Sequence, residues 1–297
     1  MVTFMITAPK AFLSYRIYRS FLSTVPFSLI MALGLTLVIT AGEIDLSFAT
    51  VMTFSGFVFT FLFREMNNSI LALVGSLFAG AMAGLLNGVI VSKMGIPSII
   101  TTLGTQFLWG GLAVILSGGR SSLITEVRSF GLYNLLVGRV GGLIPAQALW
   151  AIGVSIILWF ILNRHRFGEH IMFVGDNRDA ARMIGVNVDR TLILVFTLSG
   201  MLAAFSSILL ASEMVCWWPT QGPGYLLITI AAVFIGGTSI YGGEGTIFGT
   251  VIGAFLVGSI TAGIVASRVG GFWTQFIVGV VMLIAIMLNT ILSRKRT

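Results

Sequence analysis

The chain has 297 residues, of which 57% are hydrophobic and only 9% charged. Soluble domains carry about 25% charged residues, and disordered chains are charged and poor in apolar residues, so both classes are excluded. The net charge of +7 is dispersed over the polar intervals and is not a nucleic-acid footprint. The single cysteine, Cys216, cannot form an internal disulfide, and the two histidines, His165 and His170, share one polar interval. The inventory leaves no catalytic constellation or metal cluster. The chain reads as an all-α integral membrane protein with 36 glycines for close helix packing.

A spanning helix needs about 20 mostly apolar residues. Nine stretches qualify: 21–41, 47–63, 70–92, 98–117, 147–162, 191–212, 225–241, 246–266 and 273–292. The second and fifth are short, and the seventh holds Gly236 and Gly237 near its end. No separate soluble domain fits, so residues 1–297 read as one transmembrane domain. Membrane lipid is its surroundings.

Basic residues set the orientation. Arg164, Arg166, Arg178, Arg182 and Arg190 in 163–190, with Arg294, Lys295 and Arg296 in the tail, are expected inside. Counting spans then puts 42–46, 93–97 and 242–245 on that side, and 64–69, 118–146, 213–224 and 267–272 on the other. Lys10, Arg16 and Arg19 fall outside, against the rule, and 1–19 reads as the remnant of a truncated first helix. Two glycine ladders, Gly80-Gly84-Gly88 and Gly245-Gly249-Gly253, each line one helix face. They suit static packing better than a sliding surface.

The interval 163–190 carries both histidines and the densest charge. Asp176 is expected as an N-cap with Asp179 three residues on, Ala180 to Met183 favour helix, and Gly185 supplies the stop. The result is a helix of about eight residues at 176–184, with Asn177, Ala180, Ala181 and Ile184 on one face. Such a helix either docks in a cleft of a soluble partner or simply caps two spans.

Four stretches together resemble the permease subunits of ribose-type sugar ABC importers, the branched carbohydrate permeases with autoinducer-2 and galactofuranose relatives. They are ALGLTLVITAGEIDLSFATVMTFSG at 32–56, GLLNGVIVSKMGIPSIITTLGT at 84–105, FGEHIMFVGDNRDAARMIGVNVDR at 167–190 and IAAVFIGGTSIYGGEGTIFGTVIGAFLVG at 230–258. The similarity runs from about Phe12 to the C-terminus. The resemblance implies a ten-span architecture in which nine helices are visible and the first is missing. It implies cytoplasmic ATP-binding subunits, a periplasmic or lipid-anchored solute-binding protein, a second permease copy or sister permease, and the inner or plasma membrane. It also implies a coupling segment matching the family at Gly175, Asn177, Ala181, Arg182 and Gly185, within which lie Asp176, Arg178 and Asp179. Where the family has Gly-Gly-Ile-Asp-Leu-Ser, this chain reads Gly42-Glu43-Ile44-Asp45-Leu46-Ser47, and Glu43 departs from the pattern.

No phosphate-binding loop is present, so no cofactor is expected here and ATP with Mg would act on the partner. Leu116-Ser117-Gly118-Gly119-Arg120 only mimics an ATPase signature. Glu43, Asp45, Glu213 and Glu244 fall at span ends within reach of water, with Asp45, and beside it Glu43, the candidate inner-side brace for the coupling helix. In 118–146, Arg120 and Arg128, with Glu126 and Arg139, are candidates for docking a binding protein, although an ordinary solvated loop accounts for them slightly better. Trp217 and Trp218 suit an outer interfacial belt better than a sugar platform. The competing class is an ion-gradient-driven secondary transporter of a small solute. The absence of a charged residue clearly at mid-span argues against proton coupling.

Overall fold

A computed structural model describes residues 14–266 and 272–293. Twelve α-helices account for most of it: α1 (Tyr15–Thr40), α2 (Phe48–Met66), α3 (Ser69–Lys93), α4 (Ser98–Ser117), α5 (Gly131–Val137), α6 (Ala146–Arg164), α7 (Arg166–Asp176), α8 (Arg178–Met183), α9 (Val188–Met214), α10 (Leu226–Ile235), α11 (Ile247–Ala266) and α12 (Phe272–Ser293). Eight of the nine expected spans coincide with a helix, and the seventh does so only in part. Six are long and apolar enough to cross a membrane: Ile17–Thr40, Ser69–Lys93, Ser98–Ser117, Ala146–Arg164, Val188–Met214 and Ile247–Ile264. The charges Arg64 and Glu65 in the last turn of α2 lower its hydropathy. Lys10 and the basic tail 294–296 lie outside the described residues.

The core sits around α1 and α9. Residues 25–41 are buried on every face, as an all-round apolar helix requires. By contrast, only 22% of α4 is buried, so most of its apolar surface is exposed. Both glycine ladders are packed. A Cβ on Gly84 would lie 2.1 Å from the Phe196 carbonyl oxygen, and one on Gly249 would lie 1.9 Å from that of Gly236. These are backbone-on-backbone contacts of α3 with α9 and of α11 with the end of α10.

The seventh span differs from expectation. Instead of a helix over 225–241, α10 has ten residues and ends at Gly236, followed by Gly237 at φ +86°. Ten residues rise about 15 Å, half a bilayer core. Part of the depth is instead covered by the irregular segment 215–222, which returns along α2. There the Trp217 indole Nε1 donates to the Thr53 carbonyl (2.9 Å), the Gly222 amide to Thr53 Oγ1 (3.1 Å), and Gln221 Nε2 to Ser207 Oγ (2.9 Å). Non-helical backbone at depth is tolerated when protein satisfies it in this way.

The long interval 118–146 is folded rather than extended. It holds β1 (Ser122–Leu123), a 3-10 turn at Thr125–Ser129, α5, and a hairpin of β2 (Arg139–Val140) and β3 (Ile144–Pro145). Gly141 and Gly142, at φ +60° and +72°, supply the left-handed turn that hairpins favour. β1 pairs antiparallel with β4 (Cys216–Trp217). The described connections sort into two groups as the span count requires, and 267–271 lies outside the described residues. At one end, Lys93 pairs with Asp189 (2.7 Å) and the Gly243 amide donates to the Thr40 carbonyl (2.9 Å). At the other, Arg139 pairs with Glu213 (2.5 Å) and Arg64 donates to Ser122 (3.2 Å).

Candidate functional site

Three connections meet at one point. The turn after α1, the end of α7 and the loop before α11 approach so closely that side chains are excluded. A Cβ on Gly175 would sit 1.8 Å from the Thr40 carbonyl oxygen and 2.6 Å from the Gly243 amide nitrogen. One on Gly242 would lie 2.8 Å from Gly42 Cα. Gly42, Gly242 and Gly243 also hold φ of +78°, +84° and +73°. Glycine is needed here both for conformation and for space.

The segment 175–187 issues directly from this junction, with local structure that corrects the expected cap. Asp176 ends α7, and Asn177 is the N-cap of α8, its Oδ1 accepting from the amides of Asp179 and Ala180 (both 3.0 Å). α8 therefore has six residues rather than eight. Gly185, at φ +87°, terminates it as expected. Ala181 is buried, 1% exposed, against its own chain, so the expected small-residue face does not point outward as a unit. What α8 presents is Asp179, Ala180, Arg182, Met183 and Ile184, with Arg182 paired to Asp179 (3.1 Å).

The expected brace is also reassigned. Arg178 Nη2 donates to Glu43 Oε1, tying α8 to the turn after α1. Asp45 instead accepts from the Ser47 amide (2.8 Å) and hydroxyl (2.7 Å). Asn87 Nδ2 donates to Ser47 Oγ (2.8 Å), and Thr105 Oγ1 to Asn87 Oδ1 (2.7 Å), carrying the chain of hydrogen bonds to α3 and α4. Both carboxylates are buried, at 4% and 2% exposure, rather than water-reachable. Burial pushes both carboxyls above their ordinary range; beside Glu43, Ser98 and Arg178 pull the other way without reversing it. Asn87, Ser47 and Thr105 were not singled out by sequence, although an Asn inside an otherwise apolar span was a visible signal.

The family model described as branched-chain amino acid transport system / permease component matches residues 17–286. The chain belongs to this permease family. The permease is 33% identical over 264 residues to the ribose import permease protein RbsC of Escherichia coli (strain K12), covering 88% of this chain and 81% of that one. It is 32% identical over 295 residues to the L-arabinose ABC transporter permease protein AraH of Azospirillum brasilense, covering 99% and 85%. It is 32% identical over 278 residues to the autoinducer 2 import system permease protein LsrC of Escherichia coli (strain K12 / DH10B), covering 92% and 79%. No solved structure matches it. The resemblance drawn from the four sequence stretches and the all-helical membrane architecture are thus both met.

At the opposite end of the permease, the charged candidates separate. Arg139 is held by Glu213 and by the Val137 carbonyl (2.9 Å), so it is a structural residue. Arg120 and Arg128 remain exposed. Arg120 lines a cavity of about 280 Å³ with Arg64, Glu65 and Trp217. Trp217 itself is fully buried, with Phe57 edge-on at 5.4 Å, so it is not part of an interfacial belt. Its position after a long span suggested otherwise because nothing local signals that 215–222 turns inward.

Proposed function

We propose that this chain is the membrane-spanning subunit of an ATP-driven, binding-protein-dependent importer for a sugar or sugar-like small solute. The relatives named for ribose, L-arabinose and autoinducer 2 import support the solute class. ATP and Mg act on cytoplasmic ATP-binding subunits, and a periplasmic or lipid-anchored protein delivers the solute. A second copy or a sister permease completes the path in the cell's inner or plasma membrane.

The observation that carries the coupling assignment is the junction. α8 is short, exposed at Asp179, Ala180, Arg182 and Met183, and joined to α1 through Arg178–Glu43 and through Gly175 against Thr40. Closure of an ATPase dimer around α8 would move the foot of α1, the most buried helix, without an intervening flexible linker. Arg120, with its cavity, is the stronger of the two docking candidates for the binding protein, because the cavity mouth adds shape to charge.

The test is purification of the C-terminally tagged chain from its native membrane, with solute uptake measured in parallel. Met183→Asp and Arg182→Glu alter exposed residues of α8, so both proteins should fold while losing the co-purifying ATPase and uptake. Ala181→Asp is unsuitable, since it would bury a charge in the chain's own core. Wild-type uptake in both variants, at equal membrane levels, overturns the coupling assignment. Uptake in liposomes driven by an ion gradient without any ATPase overturns the ABC reading.

A further inference from the structure

At the other end of α7 from the junction, a separate cavity of about 590 Å³ opens where the end of α6, the start of α7 and the start of α9 converge. Its polar wall holds Arg166 and Arg190 with His165 and His170, and its apolar wall includes Phe160 and Leu194. We propose that it binds one anionic glycerophospholipid of the surrounding membrane, its phosphate between the two guanidiniums and an acyl chain along Phe160 and Leu194.

The charge is available. Among the described residues neither Arg166 nor Arg190 is in an ion pair, and the neighbouring Asp189 is already engaged by Lys93. Both arginines are exposed. They stand in the first turns of α7 and α9, whose leading amides are already taken by His165 Nδ1 and Asn187 Oδ1, so the guanidiniums rather than the helix ends are the donors left for a phosphate. The apolar wall is equally suited. Phe160 is 54% and Leu194 43% exposed, on helices of a membrane protein, where the neighbour of an exposed apolar side chain is a lipid tail. A soluble anion would use the arginines but leave this greasy wall unexplained; a lipid uses both. The inference needs only that the chain lies in a membrane and is independent of the coupling assignment.

Purified protein in mild detergent is titrated with phosphatidylglycerol or phosphatidylcholine, and bound lipid is counted by native mass spectrometry. One phosphatidylglycerol should bind at least about tenfold more tightly than phosphatidylcholine, given roughly a fivefold contribution per arginine near anionic headgroups. Arg166→Gln with Arg190→Gln should weaken it roughly 30-fold, and Arg166→Lys with Arg190→Lys should restore most of the binding. If the double Gln protein aggregates, the single variants carry the test, each expected at roughly fivefold. Equal binding of the two lipids, or phosphatidylglycerol retained by the Gln variants, overturns the proposal. So does displacement by millimolar inorganic phosphate, which would make this a site for a soluble anion. Loss of a co-purifying ATPase with lipid binding unchanged would assign the cavity to a protein partner and overturn it equally.

Discussion

Arg178, the first residue of α8, donates to Glu43, which lies 135 residues earlier in the turn after α1. The two ends of this pair are unequal: the Arg178 side chain is 41% exposed and that of Glu43 only 5%. Removing the arginine leaves an unpaired carboxyl in the interior, whereas removing the carboxyl leaves a guanidinium that water can reach. Arg178→Gln should therefore cost about 1–2 kcal/mol, and Glu43→Gln should be neutral or slightly stabilising. Thermal unfolding in detergent measures both, and the reverse order would discard this account of the pair. In reconstituted vesicles both changes should lower solute moved per ATP hydrolysed.

The pH dependence follows from burial. The Glu43 carboxyl is raised above its ordinary value of 4.5, so over the window above 4.5 the folded state holds more protons than the unfolded one. Stability linked to this group is fully present below that value and is lost as pH rises through the folded pKa. The melting temperature of wild type minus that of Glu43→Gln should thus fall as pH rises from 4.5. Asp45, raised in the same direction, contributes equally to both proteins and cancels. A difference that grows with pH would contradict the burial argument.

Two glycines of the same segment should behave oppositely. An alanine at 175 would drive its Cβ into the Thr40 carbonyl, and neither backbone can retreat, so Gly175→Ala should cost about 3 kcal/mol or more. Gly185 has no neighbour within 4 Å, and only its φ of +87° resists a side chain. Gly185→Ala should cost about 1–2 kcal/mol. Size-exclusion profiles after a heating series separate the two.

Trp217→Phe keeps a ring against Phe57 but strips the hydrogen bond to the buried Thr53 carbonyl, and should cost about 1–3 kcal/mol. Trp217→Ala adds a cavity and should cost about 3–5 kcal/mol. A Trp217 in a lipid-facing belt would give values near zero in both, read as shifts in melting temperature.

Helix positions were legible because an apolar run near 20 residues has one use, and the grouping of the described connections at two ends followed from counting. What one-dimensional pattern did not carry was competition and distance. Asp176 and Asn177 are both good caps; the choice fell to Asn177 because α7 continues through Gly175, which only a glycine could place against Thr40. Glu43 looked solvated because it stands at a span end. Its partners Arg178 and Ser98 are remote in sequence, and the junction itself is assembled from three separate connections. The inward return of 215–222 had only one hint, the glycine pair that cuts α10 short.

The glycine contacts between α3 and α9 bear on how such a molecule can move. With Gly80 facing Gly200, Gly84 facing Phe196 and Gly88 facing Ile193, the two helices touch backbone to backbone along their length. Rotation of one against the other would lift carbonyl oxygens over α-carbons at every step of the ladder. The pair is a stiff spar, and with α4 tied to α3 through Thr105 and Asn87, any rocking of the bundle must come from the helices that swing about this unit.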